Sequence, residues 1–247
     1  MENERISENL TRKERIELRR QERKTEGNGS KKGSRRFLIW VISVLIIGGS
    51  IFGVIKLAGR NNIVVDSGNA LSTAVHASDW ILGNKNAKTV LVEYSDYQCP
   101  ACALFNPVVR DFVASNSANI EFVFRNFPLE QHANGRISAY AVEAAGKQGK
   151  FWEMHDKIFS NQTAWSESVT ARDIFIGYAM TLKLNTDQFK KDLDSQEIKD
   201  KVETDYQSGI KSGVSSTPSF YLNGKKMAPP ASFDDFKNTI EQSINSN

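Results

Sequence analysis

The chain has 247 residues, 40% of them apolar and 25% charged, with a net charge of +3. That length allows one or two domains and a sizeable core. Residues 1–36 hold 12 Lys/Arg against 7 Asp/Glu and the remainder 20 against 22, so the basic surplus belongs to the tail. The folded part offers no case for nucleic-acid binding.

In chain order, residues 1–36 form a polar, basic tail with too few apolar residues to build a core, expected to be disordered. Phe37 to Ile55 is a run of 19 residues without a charge, which at about 1.5 Å rise per residue matches the hydrocarbon thickness of a bilayer. A cleaved signal peptide would have a short charged region, a shorter apolar core and a small-residue cleavage site. The long tail and the following Lys56-Leu57-Ala58-Gly59-Arg60 fit that poorly, so residues 37–57 are predicted to be a transmembrane anchor. The positive-inside rule then places the tail in the cytoplasm and the rest outside, a single-pass protein of the cell membrane. Residues 58–78 read as a linker, with His76 as a surface residue. Ala77 to Gly83 reads as a short lead-in element.

The stretch from Thr89 to Phe112 carries the chemistry. Val90, Leu91, Val92 and Tyr94 make a short apolar strand. Ser95 to Gln98 make a polar loop, in which Asp96, Tyr97 and Gln98 shape the turn and are assigned no chemistry. Cys99-Pro100-Ala101-Cys102 follows and then a helix with an apolar face. These are the only two cysteines. Strand, loop, CxxC and helix form the thioredoxin-like redox context for such a pair. Only a thiolate attacks a disulfide, and the free N–H groups and macrodipole of a helix N-terminus favour the anion. Pro100 suits the first turn, where its missing N–H costs nothing. Cys99 is thus the exposed nucleophile and Cys102, one turn on, the resolving partner. A zinc half-site is the competing reading, but zinc needs about four ligands, and His76, His132 and His155 are scattered, so no metal is expected. A structural staple across two residues would constrain little of the unfolded chain.

Beyond this stretch, Asn119 to Phe124 alternates polar and apolar residues like a strand. With Val90–Tyr94 and the intervening helix it predicts a right-handed βαβ unit with a parallel pair. Helical stripes follow at Ile137/Tyr140/Ala141/Ala144, Phe151/Met154/His155/Ile158, Ile174/Tyr178/Leu182 and Ile198/Val202/Tyr206/Ile210. His155 is read as a satisfied core histidine, and Phe151, Trp152 and Trp165 as core aromatics. Thr217-Pro218 begins a strand, where proline is tolerated. Asn223-Gly224 is a strong hairpin signal. Ser232 with Asp235 opens the last helix as an approximate capping box. Glu93 lies inside an apolar run. Buried, it would be costly and would shift its pKa; alternatively it faces solvent from one side of the strand.

Asp79 to Cys102 (DWILGNKNAKTVLVEYSDYQCPAC) resembles the opening of the DsbA-like thiol:disulfide oxidoreductases, especially their membrane-tethered BdbD-like branch. FVFRNFPLEQHANG, GKFWEMHDKIFSNQTAW, STPSFYLNGKKM and SFDDFKNTIEQSI resemble later segments of that family. The resemblance implies an α/β thioredoxin fold over 79–247, with 79–126 and 214–247 as its core and 127–213 as a helical insertion. It implies a cis Thr217–Pro218 bond beside the CxxC, keeping metal out and offering the Thr217 backbone to an extended substrate. It implies that Glu93 exchanges a proton with Cys102. It further implies no cofactor beyond a Cys99–Cys102 disulfide, reduced exported proteins as substrates, and a quinone-linked membrane reoxidase of DsbB or vitamin-K-epoxide-reductase type as partner. Pro100-Ala101 lacks the histidine of the strongest oxidants in the family, so a moderately oxidising potential is expected. The expected activity is dithiol oxidation. A reductase or isomerase using the same site, or a non-enzymatic metal- or thiol-binding module, are the alternatives.

Overall fold

The computed structural model describes residues 70–246, together with residues 13, 16 and 17. The predicted anchor at 37–57, and all of the tail but those three positions, lie outside the described residues. Among the described residues no helix is long and apolar enough to cross a membrane.

Five strands form one mixed sheet in the order β1-β3-β2-β4-β5. They are β1 (Trp80–Gly83), β2 (Thr89–Ser95), β3 (Ile120–Asn126), β4 (Ser219–Leu222) and β5 (Lys225–Lys226). Within residues 70–246 the helices are α1 (Pro100–Ser115), α2 (Gly135–Gly146), α3 (Phe151–Ser160), α4 (Gln162–Trp165), α5 (Ala171–Thr181), α6 (Thr186–Leu193), α7 (Gln196–Lys211) and α8 (Phe233–Asn245). β2 and β3 run parallel across α1, as the crossover pattern predicts, with Leu91 opposite Phe122 and Glu93 opposite Phe124. β4 pairs antiparallel on the other side of β2, and β1 antiparallel on the outer edge of β3. The lead-in element is therefore an edge strand.

Side chains alternate across a strand, and here both faces are covered. Leu91, Phe122 and Phe124 join the core beneath α1, α8 and the helical insertion, whereas Val92, Tyr94 and Val123 pack on the opposite face with Phe127, Val214 and Tyr221. β3 is the strand that its alternation predicts, but the alternation does not mark a wet face. All seven of its residues are buried, because a strand paired on both edges inside a layered α/β fold has no wet face. Its polar residues are paired instead. Arg125, fully buried, donates to both oxygens of Asp79 at 3.0 and 2.8 Å, to Tyr94 Oη, and to the carbonyls of Thr73 and Ala74. The second half of the predicted linker is thus laid against the domain. Ala70 bridges Lys225, and Leu71 N donates to Gly224 O at 2.8 Å. His76, predicted as a surface residue, caps the same cluster, its Nε2 3.5 Å from Asp79 Oδ1.

Two predicted stripes shift. On α5 the buried face is Ala171, Phe175 and Ala179, with Ile174, Tyr178 and Leu182 only half-buried. On α7, Ile198 and Val202 are buried but Ile210 is 48% exposed. Along α7, steps of four residues overshoot a 3.6-residue turn, so that stripe has rotated off the core by Ile210. The last turn packs instead through Gly209. A Cβ there would stand 2.5 Å from the Phe127 ring, so only glycine lets the helix approach. At the hairpin, Asn223 and Gly224 both take positive φ, 50° and 79°, as a two-residue primed turn requires. Ser232 Oγ caps Asp235 N at 3.0 Å, while Asp235 reaches back to Ala231 N.

Candidate active site

Cys99 is the N-cap of α1, with extended backbone (φ −72°, ψ 122°) and Pro100 following as the first helical residue. An Asx-type turn sets it there. Asp96 O accepts from Cys99 N at 3.0 Å and Asp96 Oδ1 from Gln98 N at 2.8 Å. Short polar side chains build such turns by bonding backbone two residues on. From the far side, Gln162 Nε2 donates to the carbonyls of Tyr97 and Cys99 at 2.8 and 2.9 Å. The turn is thus held by an element more than sixty residues away in the chain.

The Cys99 sulfur is drawn down to about 5. The Cys102 thiol beside it does most of this, against burial, helped by the Thr217 hydroxyl and the N–H groups of Cys102 and Ala101. Cys102 is fully buried, and its thiol is pushed well above its ordinary value, first by burial and then by donating to Cys99. The pair is therefore polarised: one sulfur ready to be an anion, the other held as a thiol. Both are free thiols in this structure, and Cys99, expected to be exposed, is only 7% exposed, with the Thr217 carbonyl against its sulfur.

The bond between Thr217 and Pro218 is cis. It brings the Thr217 carbonyl to 3.4 Å from Cys99 Sγ, which donates to it. Thr217 Oγ1 is buried and has no partner in this dithiol state, leaving its hydrogen available to a thiolate. An open groove of about 1020 Å³ runs from this point between Phe105, Pro218, Lys225, Met227 and Pro229.

Glu93 sits in the central strand, opposite Phe124 and Phe220, and is 3% exposed. Period two puts it on the face of Leu91, which packs with Cys99 and Cys102. Burial raises its carboxyl to about 7; the Ser95 hydroxyl tempers the rise and negative charge on Cys99 adds to it. Its charge also opposes ionisation of Cys102. The reading of Glu93 as a solvent-facing residue is thereby excluded.

His155, predicted to be a satisfied core histidine, is 2% exposed with both nitrogens used. Nδ1 accepts from Tyr97 Oη at 3.0 Å and Nε2 donates to Asn106 Oδ1 at 2.8 Å. Burial holds it neutral, well below the usual imidazole range. It braces the turn before Cys99 against the body of α1. Among the described residues no group of three or more His, Cys, Asp or Glu is placed to hold a metal ion. The sequence reading missed Gln162, the Thr217 hydroxyl and the Tyr97–His155–Asn106 bridge. It placed Asp96 in the turn without its partners. An Asp two residues before a Gln and three before the helix N-cap is an Asx-turn signal; nothing in the spacing marks the rest.

A dithiol at the tip of a helix, polarised and faced by a cis-proline on a mixed sheet, defines a thioredoxin-fold redox protein. The thioredoxin family matches residues 76–242. The probable disulfide bond formation protein D of Bacillus cereus is 31% identical over 215 residues, covering 84% of this chain and 94% of that one. The crystal structure of oxidised BdbD from Bacillus subtilis superposes with a TM-score of 0.62 at 26% identity, covering 72% of this chain and 97% of that one. The chain belongs to the DsbA-like thiol:disulfide oxidoreductases. It also matches the Na(+)/H(+) antiporter NhaA 1 of Salinispora arenicola, 36% identical over 149 residues, or 60% of this chain. Only 22% of that antiporter's length is spanned, so ion transport is not carried over.

Proposed function

We propose that the protein is a membrane-anchored, extracytoplasmic dithiol oxidase that introduces disulfides into reduced exported proteins. The polarised sulfur pair at the helix tip is the observation that carries this reading. In the oxidised form, a substrate thiolate attacks Cys99 Sγ. A substrate–Cys99 disulfide forms and Cys102 leaves as a thiolate, taking a proton from Glu93, whose carboxyl at about 7 can hold one near neutral pH. A second substrate thiolate then attacks the substrate sulfur and expels Cys99 as a stabilised thiolate. The substrate loses two electrons and the site gains them. A well-stabilised leaving thiolate favours this direction, because it stabilises the reduced enzyme. The cis-proline and the Thr217 backbone present the extended substrate along the adjoining groove. A quinone-linked membrane partner of DsbB or vitamin-K-epoxide-reductase type returns the pair to the disulfide. The apolar run at 37–57 supplies the anchor.

Equilibrating the Cys99–Cys102 couple with glutathione tests the direction. Thioredoxin lies near −270 mV and DsbA near −120 mV, a gap of about 7 kcal/mol. A value well above the thioredoxin end is expected. A value near −270 mV would make the protein a reductase. Extraction of the full chain from membranes by detergent but not by alkaline carbonate tests the anchor.

A further inference from the structure

The Asp96 side chain is completely buried and carries three donors. Gln98 N reaches Oδ1 at 2.8 Å, and Leu129 N and His132 Nδ1 reach Oδ2 at 2.7 and 2.6 Å. The carboxylate also abuts the start of α2, where a Cβ on Gly135 would stand 3.1 Å from Oδ1. A helix N-terminus favours a negative charge placed there. Of these supports, His132 is the one side chain, and it is partly open to solvent, its side chain 19% exposed. With a carboxylate as partner, Nδ1 carries the hydrogen that is shared.

The same residue, Asp96, holds the Cys99 amide through its carbonyl. A buried anion three residues from the reactive sulfur has two possible effects. Fully compensated, it fixes the turn that makes Cys99 the N-cap. Under-compensated, it would oppose the thiolate and rotate away from Gln98 N, loosening the N-cap geometry. A buried acceptor that loses a charge-assisted donor is left with a desolvation penalty.

We propose that His132 is a positioning residue for Cys99: by donating to Asp96 it fixes the turn at the helix tip and completes the hydrogen bonding of the buried carboxylate there, and so sets both the acidity of Cys99 and the oxidising strength of the pair. The inference rests on the reading of Cys99 as the nucleophile. His132 touches neither sulfur and acts only through Asp96. The two contacts belong to loops 36 residues apart in the chain, so the segment between β3 and α2 tunes a site it does not enter.

The test uses the reduced full chain and reads thiolate absorbance near 240 nm against pH, with the glutathione equilibrium measured in parallel. His132→Ala should weaken Cys99 ionisation about tenfold and make the pair about tenfold less oxidising, the scale of one charge-assisted hydrogen bond partly transmitted. His132→Asn places an amide N–H close to where Nδ1–H was, and should recover most of both. The idea is overturned if folded His132→Ala titrates and equilibrates as the parent does, or if Asn rescues neither. Should the alanine variant not fold, the parent protein decides: the imidazole nitrogen resonances of His132 should shift with the midpoint of Cys99, since coupling between two sites is reciprocal. Resonances indifferent to Cys99 would sink the proposal. A parent whose Cys99 ionises like ordinary cysteine would instead overturn the oxidoreductase mechanism itself, a separate outcome.

Discussion

At the scale of single residues, the asymmetry between two sulfurs three positions apart is the central fact. Cys99 borrows hydrogen-bond donors from its partner, from Thr217 and from the first turn of α1, whereas Cys102 lies beneath the surface and beside a carboxyl. Alkylation of the reduced protein should therefore label Cys99 with a rate that rises through about pH 5, as thiolate rather than thiol reacts. Cys99→Ser should abolish oxidation of a dithiol peptide and leave the fold intact. Thr217→Val removes a hydroxyl whose hydrogen serves only the thiolate, and should raise the ionisation midpoint in the same titration. Glu93→Gln should slow turnover at neutral pH several-fold by removing a proton donor, the general-acid contribution being worth about 10²-fold or more where it is fully used. An unchanged single-turnover rate for that variant would mean that water protonates Cys102 unaided.

At the scale of elements, the sequence was most informative where chemistry and local geometry coincide. The strand–CxxC–helix order, the Asn223-Gly224 hairpin and the Ser232 cap are written in adjacent residues, and local backbone rules suffice to read them. The parallel pairing of β2 and β3 follows from the crossover. Less legible was everything decided by distant partners. Arg125 looks like a polar residue ending a strand; only the arrival of Asp79 and the Thr73 and Ala74 carbonyls makes its burial tolerable. Removing one side of a buried ion pair costs about 3–5 kcal/mol. Arg125→Met should thus lower the denaturation midpoint sharply and open residues 70–79 to proteolysis. Gly209 was equally silent, since a glycine in a helix reads as a weakness. Its role is the space it leaves for Phe127. Gly209→Ala should destabilise by about 1–3 kcal/mol through overpacking, with less effect on the sulfur titration than His132→Ala, because Gly209 packs against Phe127 and Tyr94, on the opposite face of the sheet from the cysteines.

At the scale of the whole molecule, Glu93 and Glu143 are both fully buried acids raised by burial to about 7 from 4.5. Each binds a proton more readily folded than unfolded. Their linkage therefore makes the protein lose stability as pH rises from about 4.5 to about 7, and adds nothing further above that. A shift of that size is worth up to about 3 kcal/mol per group, an upper bound for groups that relax on ionising. Urea midpoints measured across that window should fall with pH, and Glu93→Gln should remove part of the slope while raising stability at pH 8. Glu143 has a different setting. Trp80 Nε1 and Asn126 Nδ2 donate to it at 2.8 and 2.7 Å, tying the edge strand and β3 to α2, so it belongs to the scaffold and not to the reacting pair.

One further property follows from the two cysteines being alone in the chain. The scaffold around them is closed by packed rings, buried charge pairs and helix caps, and contains no covalent cross-link that ambient reductant could sever. Such a domain can mature before any oxidant is at hand, and its architecture is indifferent to the electrons it trades. A sulfhydryl count on the intact molecule then becomes a direct gauge of catalytic loading: two tags for the discharged form, none for the charged one.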